Sequence, residues 1–362
     1  MLKFSNALKK YESHFFSQLA ANWLPYPIAL HIEPINVCQL RCPLCPTGLR
    51  KLNYAPQSMS FETFQAILAK LPFVKIIGLY RAGEPFLNPD LQRMIRFASA
   101  KDIYVFISSN FSFAKPDEFF DDLVASGLNR LIISLDGTCE ETYATYRVDG
   151  NFELVLDNMK KMVAAKKRVH SKTPEIIWQF LVNRFNEDEI DTAKAMAINL
   201  GVTLDLKLMD VSDNLVDVEL DTTLEQRKAH WLGRNQKYIC ERYKNEIHYP
   251  VFKGICAELF TDLVVTVDGK VLPCCGTWDK NSTFGDLLTQ SFHDIWFGQQ
   301  YVNSRLKFFK KDFYPEVTTT CFRCLNFGTD PSWKDKLRLL GVILQKRILM
   351  PMYVLLQSYK GR

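Results

Sequence analysis

Residues 28–48 read IALHIEPINVCQLRCPLCPTG, and this stretch decides how the rest of the chain is interpreted. It begins with a short apolar run, residues 28–32, that has the length and branched side chains of a buried strand. Three cysteines follow in a C-x3-C-x2-C array: Cys38, Cys42 and Cys45. The prolines and the glycine around them are typical of a loop. The sequence therefore predicts three thiols held together at the carboxyl end of the first strand.

This thiol array favours a metal centre, because three cysteines so close on one loop cannot all point into a hydrophobic core. A structural zinc site normally has four protein ligands. No fourth Cys or His follows at zinc-finger spacing, and His31 lies inside the predicted strand. Three cysteines instead suit a [4Fe–4S] cluster with one iron left open, and an open position is typical of a catalytic site.

Outward from this loop, short β-rich runs alternate with amphipathic helical stretches, which predicts βα units around a parallel sheet. The six predicted strands are residues 28–32, 74–80, 104–108, 130–135, 176–182 and 203–208. Six units are fewer than the eight of a closed barrel, so the expected α/β fold is a partial (β/α)6 TIM-like barrel or a doubly wound sheet. In both folds the functional site lies at the carboxyl ends of the strands.

Composition excludes several classes of protein. Hydrophobic residues make up 47% of the 362 residues and charged residues 23%, which argues against disorder. A net charge of +5 is too small to indicate a nucleic-acid partner. The N-terminus lacks the apolar run of a signal peptide, which predicts a cytoplasmic protein with reduced thiols. The most apolar stretch, residues 348–356, is much shorter than the ~20 residues that span a bilayer.

The chain divides into five predicted parts. They are an N-terminal helical extension (1–27), the barrel (28–210), a linker and helix (211–254), a small cysteine-rich domain (255–331) and a basic amphipathic tail (332–362). The linker begins with an acidic stretch and continues into a predicted helix, residues 224–244. Apolar and basic residues at helical spacing in the tail predict a C-terminal helix that docks on the protein or contacts a membrane surface.

Five of the ten cysteines fall in the small domain, spaced C-x17-C-C-x45-C-x2-C: Cys256, Cys274, Cys275, Cys321 and Cys324. The run LVVTVDGKVLPCC, residues 263–275, places Asp-Gly between two β-rich arms and predicts a hairpin. Four thiolates from a hairpin and a C-x2-C pair can close a tetrahedral site. Zinc and a second iron–sulfur cluster both remain open at this point.

The first array and its place after strand one resemble the radical S-adenosylmethionine (SAM) superfamily. The resemblance implies that the open iron of the [4Fe–4S] cluster binds the amino and carboxylate groups of SAM. An electron from the cluster then cleaves SAM to methionine and a 5′-deoxyadenosyl radical. The resemblance also implies a reduced flavodoxin or ferredoxin-type electron donor.

A further motif of that family follows the second predicted strand. Residues 81–90, RAGEPFLNPD, resemble the Gly-Gly-Glu-Pro motif, with Ala82 in place of the first glycine and then Gly83 and Glu84. The resemblance implies backbone contacts to the SAM ammonium group here. Ser109 and Asn110 occupy the place of a polar ribose contact, and a plain polar turn is the alternative.

The segment after the fourth predicted strand, SLDGTCEETYATYR at residues 134–147, is similar to the family's Ser-Leu-Asp-Gly segment and its downstream arginine. By this resemblance Ser134 contacts polar groups of SAM. Arg147 offers a planar fork to the methionyl carboxylate, with a surface arginine as the alternative.

The second cysteine cluster resembles the SPASM domain. Residues 269–274, GKVLPC, match its Gly-x4-Cys motif, and no cysteine follows Cys324. The resemblance is therefore to the shortened, twitch-type form, with one auxiliary [4Fe–4S] cluster held by Cys256, Cys274, Cys321 and Cys324.

This assignment leaves Cys275 without a ligand role. Related epimerases place a hydrogen-donating cysteine beside the auxiliary cluster, so Cys275 is a candidate catalytic residue. A packed thiol or an alternative ligand is the other interpretation. Cys139 and Cys240 stand alone and are predicted to be inert.

The resemblance implies a radical SAM oxidoreductase. An auxiliary cluster with four protein ligands has no open iron, which favours electron transfer over substrate coordination. The predicted reaction is oxidation of a small polyol or amino-sugar-type metabolite. Peptide epimerisation or crosslinking is the alternative. Against it, only 27 residues precede the predicted barrel, which are too few for a leader-peptide-binding domain. A zinc-stabilised, non-catalytic binding protein is the alternative from another class.

Overall fold

The computed structural model of the chain describes residues 14–211, 220–244, 254–309, 313, 315–324 and 331–345. Nine strands form one sheet in the order β6-β5-β4-β3-β2-β1-β7-β8-β9. They are β1 (Ala29–Ile32), β2 (Ile76–Leu79), β3 (Tyr104–Ser109), β4 (Arg130–Ser134), β5 (Glu175–Val182), β6 (Thr203–Leu208), β7 (Asp262–Val265), β8 (Lys270–Leu272) and β9 (Gly285–Asp286).

Strands β1 to β6 are parallel, and each pairs with its neighbour in the chain. A doubly wound sheet reverses its strand order at a switch point, whereas this order advances in one direction. The predicted partial (β/α)6 barrel is therefore confirmed, and the doubly wound alternative is wrong.

Helices cover the outside of this sheet and the additional segments. They are α1 (14–18, continued by the π-helical turn Leu19–Trp23), α2 (Phe61–Ala69), α3 (Leu91–Ser99), α4 (Asp117–Ala125), α5 (Glu140–Tyr146), α6 (Phe152–Arg168), α7 (Ile190–Leu200), α8 (Leu224–Trp231), α9 (Glu241–Lys244), α10 (Glu258–Thr261), α11 (Phe292–Trp296), α12 (Gln299–Leu306), α13 (Thr320–Arg323) and α14 (333–345).

Alternation along the strands separates an outer apolar face from the barrel lumen. In β3, Val105 and Ile107 are fully buried in the main hydrophobic core. Phe106 lies on the opposite face and is only half-buried, because successive side chains of a strand point to opposite sides. Phe106 contacts the rings of His31 and Tyr80 edge to face, so an aromatic group from β1 to β3 lines the lumen.

The hairpin of the small domain extends the barrel sheet. β7 pairs parallel to β1, with Ala29 opposite Asp262, and β8 pairs antiparallel to β7. The predicted hairpin is thus present, and it continues the sheet beyond β1. Because β8 is antiparallel to β7, the chain leaves β8 toward the amino end of β7. The segment after the cysteines is held at the turn after β2, where Arg81 donates to the carbonyl of Thr277.

The predicted helix over residues 224–244 is interrupted. It forms α8, a 3-10 turn Gln236–Tyr238 and α9. Between them, the Glu187 carboxylate accepts hydrogen bonds from the backbone N–H groups of Arg234 (2.8 Å) and Asn235 (3.0 Å). These bonds replace intrahelical ones, which explains the break. Most of the acidic stretch before α8 lies outside the described residues.

The described part of the tail, α14, docks on the protein. Leu339 and Ile343 are buried in the main core together with Phe16. Trp333 and Leu337 are exposed on another face of the same helix. Within the described ranges, none of the helices combines the length and apolar character needed to cross a membrane.

Candidate functional site

The first cysteine loop connects β1 to α2 and folds tightly onto itself. The backbone N–H of Cys45 donates to the carbonyl of Cys42 (3.1 Å), and that of Leu49 donates to the carbonyl of Cys45 (2.8 Å). A Cβ atom on Gly48 would lie 2.6 Å from both the nitrogen and the oxygen of Cys42. Glycine is therefore required at position 48 for the loop to close.

The three thiols of this loop are shielded from water and lie close enough to affect one another. Burial raises the pKa of Cys38 to about 12 and that of Cys42 to about 11, and repulsion from Cys45 adds to both shifts. Metal-free, Cys38 and Cys42 stay protonated at neutral pH. A cationic metal centre would hold them as thiolates, as metal ligation requires.

The turn after β2 clamps the cysteine loop. A Cβ atom on Gly83 would lie 2.5 Å from the carbonyl oxygen of Ile35 and 2.6 Å from that of Val37. The Glu84 N–H donates to Val37 (2.8 Å), and the Thr47 hydroxyl donates to the carbonyl of Ala82. The Ala82–Glu84 turn therefore lies directly against the segment that leads to Cys38.

The Glu84 carboxylate organises the end of β3. The Ser109 hydroxyl and the Asn110 N–H each donate to it at 2.7 Å. Burial raises the pKa of Glu84 to about 7, and these hydrogen bonds oppose the shift. The Asn110 amide in turn donates to the sulfur of Cys38 (3.5 Å). Ser109 and Asn110 thus lie beside the cysteine loop, with the Ser109 hydroxyl engaged by Glu84.

Arg147 reaches the loop from the segment after β4. Its Nε donates to Asp136 Oδ2 at 2.6 Å, and its Nη1 lies 3.9 Å from the sulfur of Cys42. Asp136 is fully buried and also accepts the N–H of Leu181 (2.8 Å). Burial alone would lower the pKa of Arg147, but Asp136 and then Cys42 raise it. Arg147 is therefore a fixed cation beside Cys42, and Ser134 is buried at the end of the same strand.

A small second core covers the cysteine loop. Cys42 and Leu40 are buried in it against Tyr146, Val211 and Trp231. The ring of Trp231 meets that of Tyr146 edge to face, with centroids 5.3 Å apart. Helix α8 thus shields the loop from water. No pattern in the sequence indicated this contact, because it joins segments far apart in the chain.

The cysteines of the small domain fall into two sets. Burial raises the pKa of Cys256, of Cys274 (to about 11) and of Cys321 (to about 12), and neighbouring cysteines, Cys324 among them, add to these shifts. Cys274 adds in the same way to the raised pKa of Cys275. The four cysteines predicted as ligands are therefore neighbours, and their role as ligands stays a prediction.

Cys275 instead faces the barrel. Burial raises its pKa to about 12, and the nearby Arg81 cation opposes the shift. The thiol also contributes to the raised pKa of Tyr80, about 12, after the larger effect of burial. Cys275 therefore lies between the predicted ligand set of the small domain and the aromatic group of the lumen.

A buried ion pair connects the two cysteine sites. Arg81 Nη1 lies 2.5 Å from Glu33 Oε2, and both side chains are almost completely buried. Arg81 also donates to the carbonyl of Thr277, and its guanidinium lies 4.8 Å from the ring centre of Trp278. Thr277 in turn contacts the sulfur of Cys274 (3.5 Å). The residue before Ala82 is thereby tied to the second cysteine set.

The two remaining cysteines lie outside both sites. Cys139 is exposed and its sulfur lies 3.4 Å from the Thr142 hydroxyl, whereas Cys240 is half-buried. Within the described residues, no group of three or more His, Cys, Asp or Glu side chains is arranged as the ligand shell of a single metal ion.

Comparison with known families identifies the two parts of the chain that contain these cysteines. The model of the radical SAM superfamily matches residues 32–193, and that of the SPASM iron–sulfur cluster-binding domain matches residues 256–325. The chain contains a radical SAM domain followed by a SPASM domain. The matched ranges contain both cysteine sets, so the radical SAM and SPASM resemblance stated from the sequence is confirmed, and the chain is an enzyme of this class.

Individual relatives are distant. The radical SAM chain is 24% identical over 352 residues to the tungsten-containing aldehyde ferredoxin oxidoreductase cofactor-modifying protein of Pyrococcus furiosus, covering 84% of this chain and 93% of that one. It is 28% identical to mycofactocin maturase MftC of Mycobacterium ulcerans over 58% of this chain and 56% of that protein. The chain thus spans about half the length of MftC.

Solved structures share the fold. The chain matches Streptococcus suis SuiB bound to S-adenosylmethionine with a TM-score of 0.59 and 14% identity, covering 93% of this chain and 81% of SuiB. It matches native anSMEcpe with bound AdoMet with a TM-score of 0.55 and 13% identity, covering 92% of this chain and all of that one (100%).

The residues fit the cofactors of this family, which are a [4Fe–4S] cluster with SAM and an auxiliary iron–sulfur cluster. Cys38, Cys42 and Cys45 would hold the first cluster. Three thiols fit a cluster with one open iron, and the Arg147 cation beside Cys42 suits an anionic centre and a SAM carboxylate.

Proposed function

We propose that this radical SAM enzyme catalyses the two-electron oxidation of a polar small molecule of the polyol or amino-sugar type. When bound, the cofactors supply a 5′-deoxyadenosyl radical that removes a hydrogen atom and an auxiliary cluster that takes up the second electron. The observation that carries the proposal is the SPASM match over residues 256–325, which contain the four predicted ligands Cys256, Cys274, Cys321 and Cys324. A cluster with four protein ligands accepts electrons but has no open iron for substrate.

The chain's own residues have defined tasks in this scheme. Asp136 orients Arg147 toward the SAM carboxylate, and Gly83 lets the turn after β2 approach the cysteine loop closely. Trp231 and Tyr146 cover that loop. Exclusion of water protects a reactive radical from side reactions.

The barrel lumen supports a substrate with hydroxyl or amino groups. His31 and Tyr80 contribute polar atoms beside the ring of Phe106. Ser108 and Gln179 are half-buried on the lumen sides of β3 and β5. Pockets that bind small molecules combine apolar walls with a few such polar groups. Oxidation of a hydroxyl-bearing carbon would transfer one hydrogen atom to the 5′-deoxyadenosyl radical, one electron to the auxiliary cluster and one proton to solvent.

A second candidate is modification of a peptide or of another enzyme's cofactor. It is favoured by the names of the relatives, a cofactor-modifying protein and a mycofactocin maturase. Epimerisation would require a hydrogen donor, and Cys275 stays protonated at neutral pH because its pKa is raised to about 12. A protonated thiol is the form that donates a hydrogen atom.

Turnover in deuterated water separates the two candidates. The reconstituted enzyme is incubated with SAM, dithionite and a panel of polyols, amino sugars and short peptides, and products are analysed by mass spectrometry. The proposal predicts a product two mass units lighter, with no deuterium on carbon, and unchanged labelling in Cys275→Ala. Deuterium on a substrate carbon that disappears in Cys275→Ala would overturn oxidation and support epimerisation.

We further propose a reduced flavodoxin or ferredoxin-type protein as the electron donor. Arg41 and Arg50 are exposed on the cysteine loop, and Arg50 donates to the carbonyl of Cys38 (2.8 Å). Such donors are acidic, so opposite charges would guide docking. Reduction of the first cluster by flavodoxin should slow with rising salt and in Arg50→Glu. Rates insensitive to both would contradict this proposal.

The tail's contact with a membrane surface also stays a proposal. Trp333, Leu337 and Leu344 are exposed on α14, next to basic residues. An apolar stripe flanked by lysine and arginine is typical of interfacial helices. Sedimentation with anionic vesicles should fall in Trp333→Glu, and equal sedimentation would contradict the idea.

A further inference from the structure

Lys307 is a buried cation in the small domain. It follows α12 and is only 5% exposed. Its ammonium group donates to the backbone carbonyl of Cys321. The rings of Phe308 and Phe322 lie on either side, with centroids 5.1 and 5.7 Å from the lysine nitrogen. A lysine is thus held against one of the four grouped cysteines.

Burial of an ammonium group is strongly unfavourable unless opposite charges face it. The Lys307 ammonium group lies at the backbone of Cys321, one of the predicted ligands. Among the described residues, no ion pair joins Lys307 to a carboxylate. The thiolates of a bound cluster would therefore be the negative charges beside this lysine, and they would keep it protonated.

We propose that Lys307 raises the reduction potential of the auxiliary cluster. One-electron reduction adds one negative charge and no proton, and a cation held nearby in a poorly polarisable interior stabilises that charge. The potentials of iron–sulfur clusters depend on such charges, on hydrogen bonds and on solvent exposure. The inference rests on the proposed function in one respect: a higher potential makes the cluster a better acceptor of the electron from the substrate.

Glu258 provides a charge of the opposite sign. It lies in the first turn of α10, two residues after Cys256. Glu258 is exposed, so water and salt screen its effect, whereas Lys307 is buried and weakly screened. The structure therefore predicts a larger effect from Lys307 than from Glu258.

The test is a redox titration of the auxiliary cluster followed by electron paramagnetic resonance. The full chain is reconstituted with Cys38, Cys42 and Cys45 replaced by alanine, so that one cluster is titrated with dithionite. Lys307→Met and Lys307→Gln should lower the midpoint potential, and Lys307→Arg should restore most of it. Lys334→Met removes the same charge from the exposed face of α14 and should leave the potential unchanged.

Lys307→Gln, whose side chain stays polar, keeps the proposal testable if Lys307→Met loses its cluster. Glu258→Gln removes the opposite charge. It should raise the potential, by less than Lys307→Met lowers it. An unchanged potential in an iron-loaded Lys307 variant would overturn the proposal, as would equal shifts in Lys307→Met and Lys334→Met. A lowered potential in an enzyme that oxidises no substrate would leave this inference standing and overturn the proposed function.

Discussion

At the scale of single residues, the guanidinium of Arg147 connects Asp136 to the first cysteine loop. Motif spacing predicts Arg147, and the structure places it 3.9 Å from Cys42. Its partner Asp136 belongs to the Ser-Leu-Asp-Gly segment. The hydrogen bond between Asp136 and Arg147 could not be predicted from the sequence, because it depends on which side chains point into the fold. Sequence motifs predict which chemistry is present, and the supporting hydrogen bonds depend on the fold.

Replacement of Asp136 by asparagine should therefore weaken SAM binding without unfolding the chain. Arg147 would lose its charged partner and its fixed orientation, and loss of a charge-assisted hydrogen bond costs about 1.5–3 kcal/mol. We expect the Kd for SAM, measured by equilibrium dialysis, to rise about tenfold or more. Glu175→Gln, which removes the exposed partner of Arg130, is the matched control. Equal affinities in all three proteins would refute this role.

Gly83→Ala should distort the cysteine loop. The new methyl group would overlap the carbonyl oxygens of Ile35 and Val37, which are backbone atoms and cannot rotate away. Overpacking of this kind typically costs about 1–3 kcal/mol. We expect a lower free energy of unfolding and fewer irons bound in the first site. Gly341→Ala, where open space surrounds the Cβ position, should show neither effect.

Thiol reactivity tests where Cys275 lies. Its pKa is raised to about 12, so it stays protonated below that value, and its alkylation rate should rise about tenfold per pH unit from pH 7 to 10. In peptide maps of the holoenzyme, exposed Cys139 should react first with iodoacetamide. Rapid labelling of Cys275 at pH 7 would show that the thiol is not buried.

The structural elements show what the sequence predicts well and what it does not. Strands β1 to β6 follow from β-rich runs of the right length, with ends shifted by up to two residues, as for β2 at Ile76–Leu79. The pairing of β7 with β1 was not predictable, because it joins residues more than 200 positions apart. The cover of the cysteine loop by α8 was missed for the same reason.

Trp231→Ala should expose the first cysteine loop to water. Removal of a buried tryptophan typically costs about 3–5 kcal/mol. The side chain packs with Cys42 and Tyr146, so the first cluster should also bleach faster in air than in the parent enzyme. Trp23→Ala changes a tryptophan that is 58% exposed and serves as the control. Bleaching at the parent rate in Trp231→Ala would contradict a shielding role for α8.

At the scale of the whole molecule, two cysteine sites share one sheet and one buried ion pair. Arg81 contacts Glu33 at the end of β1 and Thr277 beside Cys274. Composition and spacing predict both sites, but neither indicates that a single arginine connects them. Arg81 thereby holds the turn after β2 against the segment that follows Cys274.

The central claim is that each of the two cysteine sites holds its own [4Fe–4S] cluster, and metal analysis tests it most directly. After anaerobic reconstitution the chain should contain about eight irons with matching sulfide, by the composition of two [4Fe–4S] clusters. Cys42→Ala should abolish 5′-deoxyadenosine formation, whereas Cys274→Ala should lose about four irons and Cys275→Ala none. A colourless protein with stoichiometric zinc, or full 5′-deoxyadenosine formation in Cys42→Ala, would contradict the account.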